Sequence, residues 1–215
     1  MSSEFLVRIP LERVAVLIGP QGSVKQHIEE LTDCKLNIDS NTGDVIILAD
    51  ELSELSDPVN LWKARDIVKA IGRGFNPNKA YKIIEADQVF QLISLRDEIG
   101  DSPNTQKLVR ARVIGKKGRT RNFIEQATKT FISVYGNTIG IIGEFKMVDI
   151  TRTAILRLIR GSKHGSVYSF IEQQVRDLTD DSTRMWAEGT ETDLANITDL
   201  DELERIVFEE EKGDE

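Results

Sequence analysis

Gly115-Lys116-Lys117-Gly118 is the stretch of this 215-residue chain whose residue types and spacing point to chemistry. Two glycines three residues apart let a backbone turn sharply and approach a ligand with no side chain between. Arg112, Lys116, Lys117, Arg119 and Arg121 crowd the turn with positive charge. Apolar residues recur at helical spacing at Leu108, Val109, Ala111 and Ile114 before it, and at Phe123, Ile124 and Ala127 after it, so the turn joins two helices. The first-turn amides of the second helix have no partner within that helix, and its positive end faces the turn. Such a place suits an anion, most simply a phosphate chain. No Gly-x-x-x-x-Gly-Lys-Ser/Thr is present, so this is not a nucleotide P-loop.

The elements that position the turn are legible around it. Val89 to Leu95 reads as a strand, Thr130 to Tyr135 alternates and is rich in β-formers, Gly136-Asn137 supplies a turn, and Ile139 to Ile142 is a second short apolar run. A long amphipathic helix follows through Val148, Ile150, Ala154, Ile155, Leu158 and Ile159. The order strand, helix, Gly-x-x-Gly, helix, strand, strand, helix resembles the KH domain of eukaryotic type (type I), in which this loop clamps the backbone of about four single-stranded nucleotides.

The same order occurs earlier in the chain. Phe5 to Pro10 reads as a strand, Leu11 to Ile18 as a helix, Gly19-Pro20-Gln21-Gly22 as a second Gly-x-x-Gly, and Ser23 to Thr32 as a helix. Lys35 to Asp39 and Val45 to Leu48 pair around Asn41-Thr42-Gly43-Asp44, and a helix runs through Leu61, Trp62, Ile67, Val68 and Ile71. The two loops lie 96 residues apart, which implies duplication. The fold class is therefore α+β: two tandem type I KH domains, 1–84 with its linker and 85–176 with a C-terminal extension, then an acidic tail, 177–215. Apolar spacing in 192–211 allows an amphipathic helix or a disordered tail, with Trp186 a possible anchor.

The net charge of −8 hides a segregation. Residues 177–215 hold 15 acidic residues against three basic, whereas 105–165 hold 13 basic against three acidic. Seven of those cations lie between Lys107 and Arg121. A basic domain inside an acidic chain fits nucleic acid. Residues 1–75, by contrast, carry eight basic and 12 acidic residues, and the first loop offers Pro20 and Gln21 in place of lysines. The first copy is thus a weaker RNA clamp, a protein-docking surface or a packing partner for the second. One cysteine and two histidines exclude an internal disulfide and argue against a Cys/His zinc site. No metal or cofactor is expected. A metal nuclease needs converging carboxylates, and Asp50 and Glu51 precede a helix whose N-terminus they suit. The chain is not expected to be an enzyme. It has no run of 18 apolar residues and no signal-peptide pattern, so a cytoplasmic protein is expected.

Lys25 and Arg121 occupy the third position after each second glycine, where KH domains usually have an apolar residue. The stretch from Gly115 to Thr130, and Ser162-Lys163-His164-Gly165-Ser166-Val167-Tyr168 beyond it, are similar to the second KH domain of the partner-of-Nob-one family of small-subunit ribosome assembly factors. That family also carries a basic residue at the third position. The short chain with an intact first loop resembles an archaeal member. The resemblance implies binding near the 3′ end of small-subunit ribosomal RNA, and contact with the maturation nuclease and with the alpha subunit of initiation factor two. The RNA-binding set is then Arg112, Ile114, Gly115, Lys116, Lys117, Gly118, Arg119, Arg121 and Ile132, with Ile114, Ile124 and the strand Ile132 to Val134 as an apolar floor for bases. Gly19, Pro20, Gln21, Gly22 and Lys25 form a weaker RNA or partner site. The alternative is a KH-fold scaffold, or a translation-linked adaptor binding an initiation factor, with RNA secondary.

Overall fold

In a computed structural model, residues 4–49 and 58–195 are described. The first copy runs β1 (Glu4–Arg8), α1 (Leu11–Ile18), a 3-10 turn (Pro20–Gly22), α2 (Ser23–Thr32), β2 (Cys34–Ile38), β3 (Asp44–Ala49) and α3 (Pro58–Gly72). A connector follows with a short helix, α4 (Pro77–Ala80), and a 3-10 turn at Tyr81–Ile84. The second copy is β4 (Gln88–Ser94), α5 (Leu95–Ile99), α6 (Pro103–Ile114), a 3-10 turn (Lys116–Gly118), α7 (Arg119–Thr128), β5 (Phe131–Tyr135), β6 (Thr138–Glu144) and α8 (Phe145–Ile159). The last helix, α9, spans His164–Ala195. Both copies are α+β KH folds.

Each copy has its own three-stranded antiparallel sheet, ordered β1-β3-β2 and β4-β6-β5. The late strand of each copy therefore lies in the middle. Alternation sets the faces of the first sheet, with Leu36, Val45 and Ile47 fully buried and Lys35, Asn37 and Ile46 turned outward. The core of this copy closes when Leu17 of α1, Ile28 of α2 and Ile67 and Ile71 of α3, all at 0% exposure, cover that face. Cys34 joins this core and its thiol donates to the Thr32 carbonyl.

β6 departs from alternation, because Ile139 through Gly143 are buried without a break. A strand buried continuously is covered on both faces. Helices cover one, and the connector from the first copy covers the other. The ring of Phe75 lies so close to Gly140 that a Cβ there would come within 2.6 Å of it. Phe75 also meets Phe90 of β4 edge-on, with centroids 6.1 Å apart, and Ile142 of β6 belongs to the same buried cluster as the first copy's core.

Polar contacts complete this junction. The Arg13 guanidinium donates to the carbonyls of Ile71 (2.8 Å) and Phe75 (2.7 Å), Ser133 Oγ donates to the Arg73 carbonyl at 2.9 Å, and the Tyr135 hydroxyl donates to Glu12. Met1–Glu172 accordingly forms one compact unit; Gln173–Glu215 clusters separately. Within the latter the helical backbone continues to Ala195. The remainder of the 192–211 helix expectation, the Asp50-Glu51 pair and the side chain of Trp186 lie outside the described residues.

Two of the apolar residues whose spacing marks the helices are exposed. Leu108 is 73% exposed and Trp62 is 58% exposed. On α6 the buried positions are Gln106, Val109 and Val113 instead, and Gln106 satisfies its amide by donating to the Gly100 carbonyl at 2.7 Å. Of the apolar positions that mark α6, Val109 is buried, Ile114 half-buried, and Leu108 and Ala111 exposed.

Candidate nucleic-acid interface

α6 stops at Gly115, whose backbone (φ 74°, ψ 173°) sends its N–H back to the Ala111 carbonyl at 2.8 Å. A Cβ at Gly115 would lie 2.2 Å from Thr120 Oγ1, so glycine is required by space as well as by angle. Lys117 adopts φ 54°, Gly118 adopts φ 77°, and the Gly118 N–H returns to the Gly115 carbonyl at 3.1 Å. α7 then starts at Arg119 with no side-chain cap on its first turn. Its leading amides have no intrahelical acceptor and carry the positive end of the helix. Lys116, Lys117 and Arg119 are exposed and form no ion pair among the described residues. Backbone donors and three unneutralised cations thus meet at one turn.

The other residues expected at the site divide by role. Ile114 is half-buried beside the loop. Ile124 and Ile132 belong to the core, at 0% and 4% exposure, so the apolar floor expected from them is not an open surface. The Ile132 N–H is itself taken by Glu125 Oε1 at 2.8 Å. Arg121 lies along the helix with Nε 3.5 Å from Glu125 Oε2. Its charge is therefore shared with a carboxylate, unlike that of Lys116. Arg112 turns away from the loop: Nη2 donates to the carbonyls of Gly161 (2.9 Å) and Ser162 (2.5 Å).

That last contact explains the Ser162-to-Tyr168 segment. His164 Nε2 lies 3.1 Å from the Arg112 carbonyl, and the Tyr168 hydroxyl donates to Thr120 Oγ1 at 3.1 Å. The Phe123 and Tyr168 rings stand 4.2 Å apart, tilted. The start of α9 thus braces both helices of the turn from behind. Sequence reasoning singled out the segment without seeing this task. It also missed a buried hydroxyl triangle, Thr128–Thr130 at 2.9 Å, Thr130–Thr151 at 3.3 Å and Thr151–Thr128 at 2.9 Å, which ties α7 to β5 and α8. Threonine in a β-rich stretch gives no sequence signal for such a triangle.

The first copy repeats the geometry with different chemistry. Gly19 (φ 73°), Gln21 (φ 52°) and Gly22 (φ 83°) trace the same turn. Lys25 pairs with Glu29 at 3.8 Å, and Glu29 Oε1 accepts the Leu36 N–H at 2.7 Å, as Glu125 does for Ile132. Pro20, however, has no N–H to offer where Lys116 has one. Among the described residues no cluster of His, Cys, Asp and Glu could hold a metal ion, and no helix is long and apolar enough to cross a membrane.

Two such sheets, each backed by helices joined through a Gly-x-x-Gly turn, define a tandem KH protein, a class that holds single-stranded nucleic acid. A profile of the second KH domain of pno1 proteins, a eukaryotic-type KH domain (KH-domain type I), matches residues 89–176, and a KH domain profile matches residues 4–52. A KH domain-containing protein of Methanocaldococcus jannaschii is 40% identical over 188 residues, which are 87% of this chain and 81% of that protein. The RNA-binding protein pno1 of Dictyostelium discoideum is 32% identical over 165 residues, 76% of this chain and 68% of that one. The crystal structure of an a/eIF2alpha-aDim2p-rRNA complex from Pyrococcus horikoshii OT3 matches with TM-score 0.76 and 45% identity, covering 82% of this chain and 96% of that one. The chain belongs to the pno1 family of RNA-binding KH proteins, as an archaeal member.

Proposed function

We propose that this protein binds single-stranded RNA at the 3′ end of small-subunit ribosomal RNA during subunit assembly, and that the second KH domain is the main clamp. The observation that carries the reading is the uncapped start of α7 beside Lys116, Lys117 and Arg119, none of which is neutralised by a carboxylate among the described residues. Phosphates of the RNA sit on the Lys116 and Lys117 amides and at the positive end of α7, since the Gly118 and Arg119 amides already donate to the Gly115 and Lys116 carbonyls. There they exchange their counterions for these cations. Single strands fit because their bases splay away from the backbone, whereas a duplex hides them.

In this reading the protein is a positioning factor and not a catalyst. It holds a strand end for the maturation nuclease in the cytoplasm, and it contacts the alpha subunit of initiation factor two. The Pyrococcus relative, in a complex with a/eIF2alpha and rRNA, supports an RNA and a protein partner on one scaffold. The neutral first loop favours the first KH domain, 1–84, as the secondary site.

Fluorescence anisotropy tests the reading, with a fluorescent oligonucleotide of the rRNA 3′ end titrated across a salt series. Lys116→Asp/Lys117→Asp removes two phosphate contacts, so the logarithmic salt slope falls by about 1.4 and binding weakens. An unchanged slope moves the main site elsewhere, and equal binding of a scrambled oligonucleotide removes the 3′-end assignment.

A further inference from the structure

Arg65 and Lys69 of α3 and Arg73, in the turn just past its end, follow one another at four-residue intervals, and the Arg73 N–H still returns to the Lys69 carbonyl at 2.9 Å, so the three share one side. That side lines a cleft of about 380 Å³, closed on its other sides by β1, which brings Arg8, and by β4, which brings Phe90 and Leu92. Four of the eight basic residues of 1–75 meet here, although that stretch carries a net charge of −4. The one carboxylate in the wall, Asp66, is held by its neighbour Arg65 at 2.9 Å. Arg8 reaches Asp44 at 3.8 Å, and Lys69 and Arg73 form no ion pair among the described residues. Partial burial, and then the Arg65 charge, hold the Lys69 ammonium below its ordinary range. Half-buried like charges of this kind are relieved by a polyanion.

The walls say which polyanion. Leu92 is 42% exposed and Phe90 half-buried, so the cations border an apolar and aromatic surface. Cations for a backbone next to such a surface for bases are what a single-stranded nucleic acid uses. The cleft lies on the face of the second sheet that the connector covers, across that sheet from α6 and α7, so a strand reaches it from the loop around the sheet edge. The Arg73 carbonyl accepts from Ser133 of β5, and β4 stands two strand spacings, about 10 Å, from β5 across β6.

We propose that the Arg65-Lys69-Arg73 face is a second RNA-backbone site, which takes phosphates of the same strand beyond the nucleotides held at Gly115–Gly118. The first KH domain then contributes to RNA binding through its third helix while its own Gly-x-x-Gly loop contributes little. This rests on the second loop being an RNA clamp.

The test uses the full chain and two single-stranded RNAs, one of about four nucleotides, which fills a KH groove alone, and one several times longer. Lys69→Gln/Arg73→Gln leaves the short RNA's affinity and salt slope unchanged and lowers the slope for the long RNA by about 1.4. Lys116→Asp/Lys117→Asp weakens both RNAs. Lys69→Arg keeps the charge, so it retains the wild-type slope and separates a packing defect from a lost contact. A wild-type slope for Lys69→Gln/Arg73→Gln on the long RNA, with the loop variant still defective, overturns the cleft and leaves the loop reading standing. A loop variant without effect on the short RNA overturns the loop reading, and with it the shared strand. Displacement of long RNA from the cleft by polyglutamate at equal charge as effectively as by unlabelled RNA assigns the cleft to an acidic protein and overturns the proposal.

Discussion

The carboxylate of Glu125 accepts the backbone N–H of Ile132 at 2.8 Å, which locks the start of β5 onto α7 in the domain with the basic loop. Its second oxygen faces Arg121 at 3.5 Å. Glu125→Ala leaves the strand N–H without a partner and costs about 2 kcal/mol of stability. Glu125→Gln keeps the acceptor, costs less, and releases the Arg121 cation, so RNA binding gains salt dependence. Denaturant unfolding of both variants checks this, and equal destabilisation would show that the charge, not the hydrogen bond, holds the strand.

Gly115 and Gly118 both have positive φ, yet their substitutions are not equivalent. At Gly118 a Cβ would meet only the Asn122 amide, in ordinary contact at 3.9 Å, so Gly118→Ala carries only the left-handed backbone cost of about 1 kcal/mol. At Gly115 the new carbon also strikes Thr120, which Tyr168 holds in place. Gly115→Ala must therefore open the turn, with a larger loss of stability and displaced amide resonances from Lys116 to Thr120. Equal losses for the two variants in thermal melting contradict the wall assigned to Thr120.

The helices Leu11–Ile18 and Ser23–Thr32 were legible residue by residue, because Pro10 and the two loop glycines mark their ends. The loops were legible for the same reason: glycine spacing and cations are local. What failed was non-local. α5 (Leu95–Ile99) has three charged residues in five and no apolar period, and it forms because Ser94 Oγ accepts the Asp97 N–H. Apolar spacing marked α6, but periodicity does not say that its partners cover Val109 and leave Leu108 exposed. The role of Arg121 could not be settled without Glu125, nor that of Glu125 without the strand it reaches. The cations Arg65, Lys69 and Arg73 stand at i, i+4 and i+8 in the sequence, but only the placement of β1 and β4 shows that they meet in a cleft.

The junction between the copies has its own pH signature. The Tyr135 phenol is held above its ordinary range, first by donating its hydrogen bond to Glu12 and then by desolvation. A proton kept longer in the folded than in the unfolded state stabilises below the unfolded pKa, near 10, and that stability is lost as pH rises through the raised value. Wild type should therefore lose stability above about pH 10 more steeply than Tyr135→Phe, which has no such proton. Urea midpoints of the pair on both sides of that pH decide it; parallel curves would detach Tyr135 from the junction's energetics.

The first loop offers a gain-of-function experiment. Gln21 and Lys117 share the same left-handed conformation, φ 52° and 54°, so lysines at 20 and 21 meet a backbone already set for them. Pro20→Lys/Gln21→Lys also restores the missing N–H, and the salt slope of RNA binding should steepen by about 1.4 if both cations reach phosphates. A second charge difference between the copies lies at the far end of α2. Glu30 and Asp33 stand in the first copy where Gln126 and Lys129 stand in the second, and Asp33 and Lys129 again share a left-handed backbone, φ 50° and 51°. Should the loop graft alone leave the slope unchanged, adding Glu30→Gln/Asp33→Lys should produce the increase, because the acidic wall is then what repels the strand. A slope that stays flat with all four changes would mean that the first groove is closed to RNA by something other than charge, and would leave the first KH domain a packing or protein-docking element.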